Sequence, residues 1–159
     1  MMECTILAVG GIKHAYLKDG IAMFEEWLSP YVKLSTIEVP PGKEPKNPSS
    51  KDLDALKEKE GVALMEKMPE GKVVALDSKG KAMKSEEFAS YLEDIKNYDV
   101  GKICFVIGGS HGLSRDVRKR ANMVLSLSKM TFPHQLTRVI LLEQLYRAMK
   151  ILHNEPYHK

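Results

Sequence analysis

The 159-residue sequence has few cysteines, few aromatic residues and no long hydrophobic run. Its two cysteines, Cys4 and Cys104, form no Cys-x-x-Cys pair, and each falls in or beside a predicted strand. Buried thiols are therefore favoured over a disulfide or a metal site. No apolar stretch is long enough to cross a bilayer, and the first residues lack the segments of a secretion signal. These absences predict no membrane contact, no bound metal and a cytoplasmic location.

The charge of the chain is nearly balanced. There are 24 Lys and Arg against 21 Asp and Glu, which gives a net charge of +3. This permits a nucleic-acid partner but does not demand one. One compact basic group comprises Arg115, Arg118, Lys119 and Arg120. It is either a solvated surface or a patch that lies near phosphate.

Apolar strands alternate with amphipathic helices along the whole chain. Strands are predicted at 5–9, 32–39, 72–77, 103–107 and 123–127. Helical patterns cover 17–28, 51–68, 85–95, 114–120 and 134–154, with Ser85 as the cap of the third helix. This order predicts an α/β fold with a parallel sheet sandwiched between helices, in a single domain over 1–159.

A glycine turn, 108–112, follows the fourth strand. Its sequence, Gly-Gly-Ser-His-Gly, matches the G-x-S-x-G elbow of α/β-hydrolases, with Ser110 as the nucleophile. Against a serine hydrolase, Asp116 lies on the very helix that the serine leads into, and the chain is short for that fold. The alternatives are a tight structural turn and a turn whose backbone N–H groups bind a ligand. The third glycine of a dinucleotide fingerprint is missing, which argues against NAD.

Arg138 lies in the middle of the apolar face of the last predicted helix. At about 100° per residue, Leu142, Leu145 and Met149 surround it, and His134 falls on the same side. An unpaired buried charge is costly, so Arg138 either pairs with a carboxylate or faces a phosphate or substrate. The wide apolar arc also suits a helix that is covered by a second subunit.

Three of the five histidines lie near the carboxyl terminus, namely His134, His153 and His158. Their spacing fits no zinc pattern. Each is chemically able to act as a general base, although a surface or capping histidine is the more common case.

Several segments of the chain together resemble one enzyme family, the bacterial large-subunit (23S) rRNA pseudouridine N3-methyltransferases of the SPOUT superfamily. The resemblance covers the whole chain. The segments are 38–40, 105–109, 125–134, 138–139, 143–148 and 157–159.

The resemblance implies an α/β fold with a carboxyl-terminal trefoil knot, a homodimer, and S-adenosylmethionine as cofactor. It implies methylation of N3 of a pseudouridine in 23S ribosomal RNA within the assembled ribosome. The implied cofactor contacts follow the third, fourth and fifth strands. They are Leu76, Gly108, Leu127, Ser128, Lys129, Met130, Thr131 and Phe132.

The implied chemistry needs an acceptor nitrogen that has lost its proton. If the pKa of the N3–H lies about two units above neutral, ionisation costs about 3 kcal/mol, and a general base typically contributes ~10²–10⁴ in rate. His134, Tyr157 and His158 are the candidates for base or substrate positioning. Arg138 is the candidate for stabilising a phosphate or the anion. A serine hydrolase built on Ser110 and a non-catalytic RNA-binding module remain the alternatives.

Overall fold

The structure, a computed structural model, describes residues 1–159, in which five strands alternate with five helices. The strands are β1 (Met2–Val9), β2 (Val32–Val39), β3 (Lys72–Ala82), β4 (Lys102–Ile107) and β5 (Met123–Ser126). The helices are α1 (Ala15–Leu28), α2 (Ser50–Lys67), α3 (Ser85–Tyr98), α4 (Arg115–Arg120) and α5 (His134–Leu152).

All five strands are parallel and form one sheet in the order β2-β1-β4-β3-β5. The central strand β4 is buried almost throughout, because helices cover both faces of the sheet. Half of the residues of β2 are exposed, and the strand lies at an edge, as its mixed polarity predicts. The predicted α/β fold with a parallel sheet is confirmed, and the trefoil knot stays a prediction.

Alternating side chains of β4 point into two separate cores. Ile103, Phe105 and Ile107 belong to the larger core, which α1, α3 and α5 cover. Cys104 and Val106 belong to the smaller core, which α2 and α4 cover. The two-residue period of a strand divides its side chains in this way. The two cysteines are free and buried, as predicted.

Several element boundaries differ by one to five residues from the sequence prediction, and two differences bear on the site. β3 continues to Ala82, because Lys81 and Ala82 pair with β5 after a register shift that follows Leu76. Ser85 does not cap α3. Lys84 is the N-cap, and the hydroxyl of Ser85 instead donates to Gln144 on α5 at 2.8 Å.

None of the helices has the length and apolar character that a membrane span requires.

Candidate active site at the carboxyl ends of the strands

A cavity of about 630 Å³ opens at the carboxyl ends of β3, β4 and β5. Parallel strands bring their carboxyl ends to one edge of a sheet, where open α/β folds usually bind ligands. The volume lies within the usual range for small-molecule sites. The lining comes mainly from segments 76–79, 107–113, 127–128 and 130–134.

The glycine turn forms the floor of this cavity. A Cβ on Gly108 would lie 2.6 Å from the carbonyl carbon of Gly112, so the turn cannot close around a larger residue. Gly112 has φ +88°, and its N–H donates to Gly109 at 3.1 Å. Ser114 then caps α4 by accepting from the N–H of Val117. Close backbone approach therefore explains why this turn is rich in glycine.

Ser110 in this turn is not paired with a histidine that could act as its base. Its hydroxyl forms no hydrogen bond with a histidine, and His111 is paired with Glu44 at 3.1 Å. The nucleophile–base contact of a hydrolase is absent from this arrangement.

The turn after β5 is tied to the long end of β3. The buried hydroxyl of Ser126 is within hydrogen-bond distance of the carbonyl oxygens of Ser78 and Ser128, at 3.0 and 2.9 Å. The N–H of Met130 donates to the Ser128 hydroxyl at 3.0 Å. These bonds fix two walls of the cavity, while the side chain of Met130 remains 75% exposed at its mouth.

Most residues predicted to bind the cofactor meet in this cavity. The lining includes Leu76, Gly108, Leu127, Ser128, Met130, Thr131 and Phe132. Lys129 is exposed and does not line it. His134 does line it, and its pKa is lowered by burial of the ring and by the nearby Arg138 guanidinium. A neutral imidazole can accept a proton, as the proposed role of His134 requires.

Arg138 lies outside the cavity lining and is 5% exposed. Its Nη1 is 2.6 Å from Oε2 of Glu38, and its Nη2 donates to the carbonyl of Gly10 at 2.9 Å. Its Nε has no partner. Of the two alternatives left open by the sequence, pairing with a carboxylate is the one that the structure shows.

Tyr157 and His158 lie against the other half of α5, in a group that we call the tail cluster: Glu86, Glu143, Arg147, Tyr157 and His158. Tyr157 donates to Glu143 at 3.1 Å, and burial and that carboxylate raise its pKa. Arg147 donates to Nδ1 of His158 at 3.2 Å. The His158 Nε2 lies 2.5 Å from Glu86. No member lines the cavity of its own chain.

Sequence reasoning missed two charged residues near these sites. Arg147 pairs with Glu143 at 2.6 Å, and the i, i+4 spacing of the two was the available signal. Glu60 is 6% exposed and lies between Leu56 and Leu64 on the inward face of α2. A charged residue in an apolar row is the same signal that identified Arg138.

No group of three or more His, Cys, Asp or Glu side chains is arranged to hold a metal ion.

A comparison of nearly the whole sequence with known protein families decides the family. The profile of a family described as predicted SPOUT methyltransferase matches residues 2–158. The chain belongs to the SPOUT methyltransferase family. This confirms the family resemblance seen in the sequence. The glycine turn and the turn after β5 are therefore features of a SPOUT methyltransferase.

Known proteins similar to this SPOUT methyltransferase differ widely in their sequence identity to it. It is 51% identical to the ribosomal RNA large subunit methyltransferase H of Carboxydothermus hydrogenoformans (strain ATCC BAA-161 / DSM 6008 / Z-2901), over 99% of this chain and 100% of that one. A probable methylase family protein from Haemophilus influenzae Rd KW20 aligns with a TM-score of 0.54 and 13% identity, over 98% of this chain and 70% of that one. This second likeness supports the fold alone.

Proposed function

We propose that this chain transfers a methyl group from S-adenosylmethionine to N3 of a pseudouridine in 23S ribosomal RNA. The observation that carries the proposal is the convergence of three strand-end turns on one cavity in a SPOUT methyltransferase. A 51% identical relative is named as a large-subunit rRNA methyltransferase, which supports the same substrate class. The activity is assigned to one domain spanning 1–159.

The cavity fits S-adenosylmethionine in shape and chemistry. Leu76, Leu127 and Phe132 supply apolar surface for an adenine ring, and the glycine turn presents backbone to a polar amino-acid moiety. When bound, this cofactor supplies a methyl group activated by a positively charged sulfur. The chain orients the reacting atoms, which is the main requirement of an in-line displacement.

The acceptor side of the cavity has a base available in His134. Its lowered pKa keeps the ring neutral at pH 7, so it can take a proton or orient the uracil ring by a hydrogen bond. Arg138 is held by Glu38, so a direct role for it would require that this ion pair open.

The surroundings of the cavity suit a polyanion. Lys57, Lys79 and Arg118 line it, and the exposed Arg115, Lys119 and Arg120 continue the positive surface along α4. Salt-dependent attraction of RNA phosphates follows from such a surface.

We further propose a homodimer that acts on assembled ribosomes in the cytoplasm. α1 packs on α5 and leaves Tyr16, Met23 and Trp27 substantially exposed, at 70%, 39% and 40%. Exposed apolar groups of this size suit a protein partner. We propose that a second copy seated there also brings the tail cluster of one subunit to the cavity of the other.

Ribosomes that lack the modification, incubated with methyl-labelled S-adenosylmethionine, test the proposal. Label should appear on one pseudouridine of 23S RNA. Gly108→Ala should abolish both labelling and cofactor binding in calorimetry, because its Cβ would overlap Gly112. Gly20→Ala is the matched control, since its Cβ would meet only Val139 at an ordinary 3.6 Å.

The outcomes separate the alternatives. RNA binding with no methyl incorporation would favour a non-catalytic RNA-binding module. Covalent labelling of Ser110 by a fluorophosphonate probe would favour the hydrolase.

A further inference from the structure

Glu60 is a buried carboxylate that the proposed mechanism does not use. It follows Leu56 and precedes Leu64 by one helical turn in the inward row of α2, and it is 6% exposed. A buried ionised carboxylate is costly unless it is bonded or paired. Its burial therefore needs an explanation, because a carboxylate that served only solubility would lie at the surface.

Little of the charge on Glu60 is compensated by the protein. Its Oε2 accepts one hydrogen bond, from the N–H of Gly42 at 2.9 Å. Its Oε1 accepts none, and no Lys, Arg or His lies within ion-pair distance of either oxygen. Glu60 is 6% exposed, so protein covers most of the side chain and screens its field less than bulk water would at the open surface.

The carboxylate lies directly behind the floor of the cavity. A Cβ on Gly109 would stand 3.2 Å from its Oε1 and 3.3 Å from its Oε2, a tight contact that the carboxylate would have to relieve by shifting a few tenths of an ångström. A Cβ on the next residue of α2, Gly61, would stand 2.5 Å from the hydroxyl oxygen of Ser114, the N-cap of α4. α2 is therefore packed tightly against the turn, and Gly109 itself lines the cavity.

We propose that Glu60 makes the cavity select a positively charged sulfonium cofactor over its neutral thioether product. The inference rests on the proposed function. In methyl transfer the S–CH3 bond breaks, its electron pair stays on sulfur, the acceptor nitrogen forms the new N–CH3 bond, and the N3 proton leaves. The sulfur loses its positive charge, so a negative charge behind the floor stabilises the bound substrate form and gives the product no matching stabilisation.

Calorimetry with three ligands distinguishes this role from a structural one. The ligands are S-adenosylmethionine, S-adenosylhomocysteine, and sinefungin, in which a protonated amine replaces the sulfonium. Glu60→Gln keeps the shape and an acceptor for the Gly42 N–H but removes the charge. The Kd of the two cationic ligands should rise about tenfold, because the variant removes an attractive charge close to the cavity wall.

The Kd of S-adenosylhomocysteine should rise about twofold or less in the same variant. Its thioether sulfur carries no positive charge for Glu60 to attract. Equal weakening of all three ligands, or no change in any, would overturn the proposal. Glu58→Gln is the matched control, because it removes an exposed carboxylate of the same helix and should leave the ratio unchanged.

A second variant, Glu60→Asp, tests the proposal if Glu60→Gln fails to fold. Glu60→Asp keeps the charge but withdraws it from Gly109, so all ligands should weaken while the preference for the sulfonium persists. A lost preference in this variant would equally count against the idea. If the wild-type chain bound neither S-adenosylmethionine nor S-adenosylhomocysteine, the proposed function itself would fail.

Discussion

The two halves of α5 each hold an arginine bonded to a carboxylate, but the two pairs are built differently. Arg138 is buried and reaches Glu38, which lies 100 residues away on β2. Arg147 is partly exposed, pairs with Glu143 one turn earlier, and contacts the chain terminus. Nine residues separate the arginines, which places them on opposite sides of the helix and about 14 Å apart along its axis.

This difference separates a pair that joins elements of the fold from a partly exposed pair that we propose for contact with the substrate. The Arg138 guanidinium ties α5 to the ends of β1 and β2 through Gly10 and Glu38. The Arg147 guanidinium stacks on Tyr157 at 4.9 Å and also contacts His158. An arginine in an apolar row thus marks a structural joint here, and the arginine on the polar side is the better candidate for chemistry.

The largest expected effect is on the free energy of unfolding when one partner of the Arg138–Glu38 pair is removed and the other is kept. Glu38→Ala leaves the Arg138 charge buried with a single carbonyl partner and should cost about 3 kcal/mol of unfolding free energy. Arg138→Met leaves a half-exposed carboxylate that water can solvate, in an apolar surrounding that accepts methionine, and should cost about 1 kcal/mol. Urea unfolding of both variants measures the difference, and the reverse order would refute the structural assignment.

The second prediction concerns the tail cluster. Arg147→Met should lower the unfolding free energy by roughly 1 kcal/mol or less, because the pair is partly exposed. It should reduce methyl transfer to ribosomes by about 10²-fold, since the proposed substrate site loses a cation. Lys150→Met, which breaks the Glu155 pair on the same helix, is the control and should remain active. Equal activities of the two variants would remove the tail cluster from the mechanism.

The smallest effect concerns pH and His134. Burial first, and then Arg138, holds the pKa of His134 below its ordinary 6.5, so the unfolded chain binds more protons just below that pH. Stability therefore rises with pH through this window and is lost as the pH falls. Arg138→Met removes the second cause and should move the pKa upward in an NMR titration of the ring. A wild-type value at or above 6.5 would contradict this account.

The order of strands and helices could be predicted because apolar periodicity is a local property of the sequence. The cavity could be located because parallel strands end at one edge. The partner of Arg138 could not be predicted, since no local sequence pattern relates residue 138 to Glu38. The end of β3 was missed because Lys81 and Ala82 are polar or small, and their pairing depends on β5. The position of Tyr157 depends on contacts with α5 that no local pattern encodes.

The register shift in β3 leaves one segment, between Leu76 and Lys81, whose length can change without changing how β3 pairs with β5. Leu125 lies opposite both Leu76 and Lys81, so the four intervening residues leave the ladder and project beside the cavity. Gly80 has no room for a side chain beside Val124, but Lys79 is exposed. A small fluorophore attached at position 79 would sit outside the hydrogen-bonded framework and report ligand entry by a change in emission.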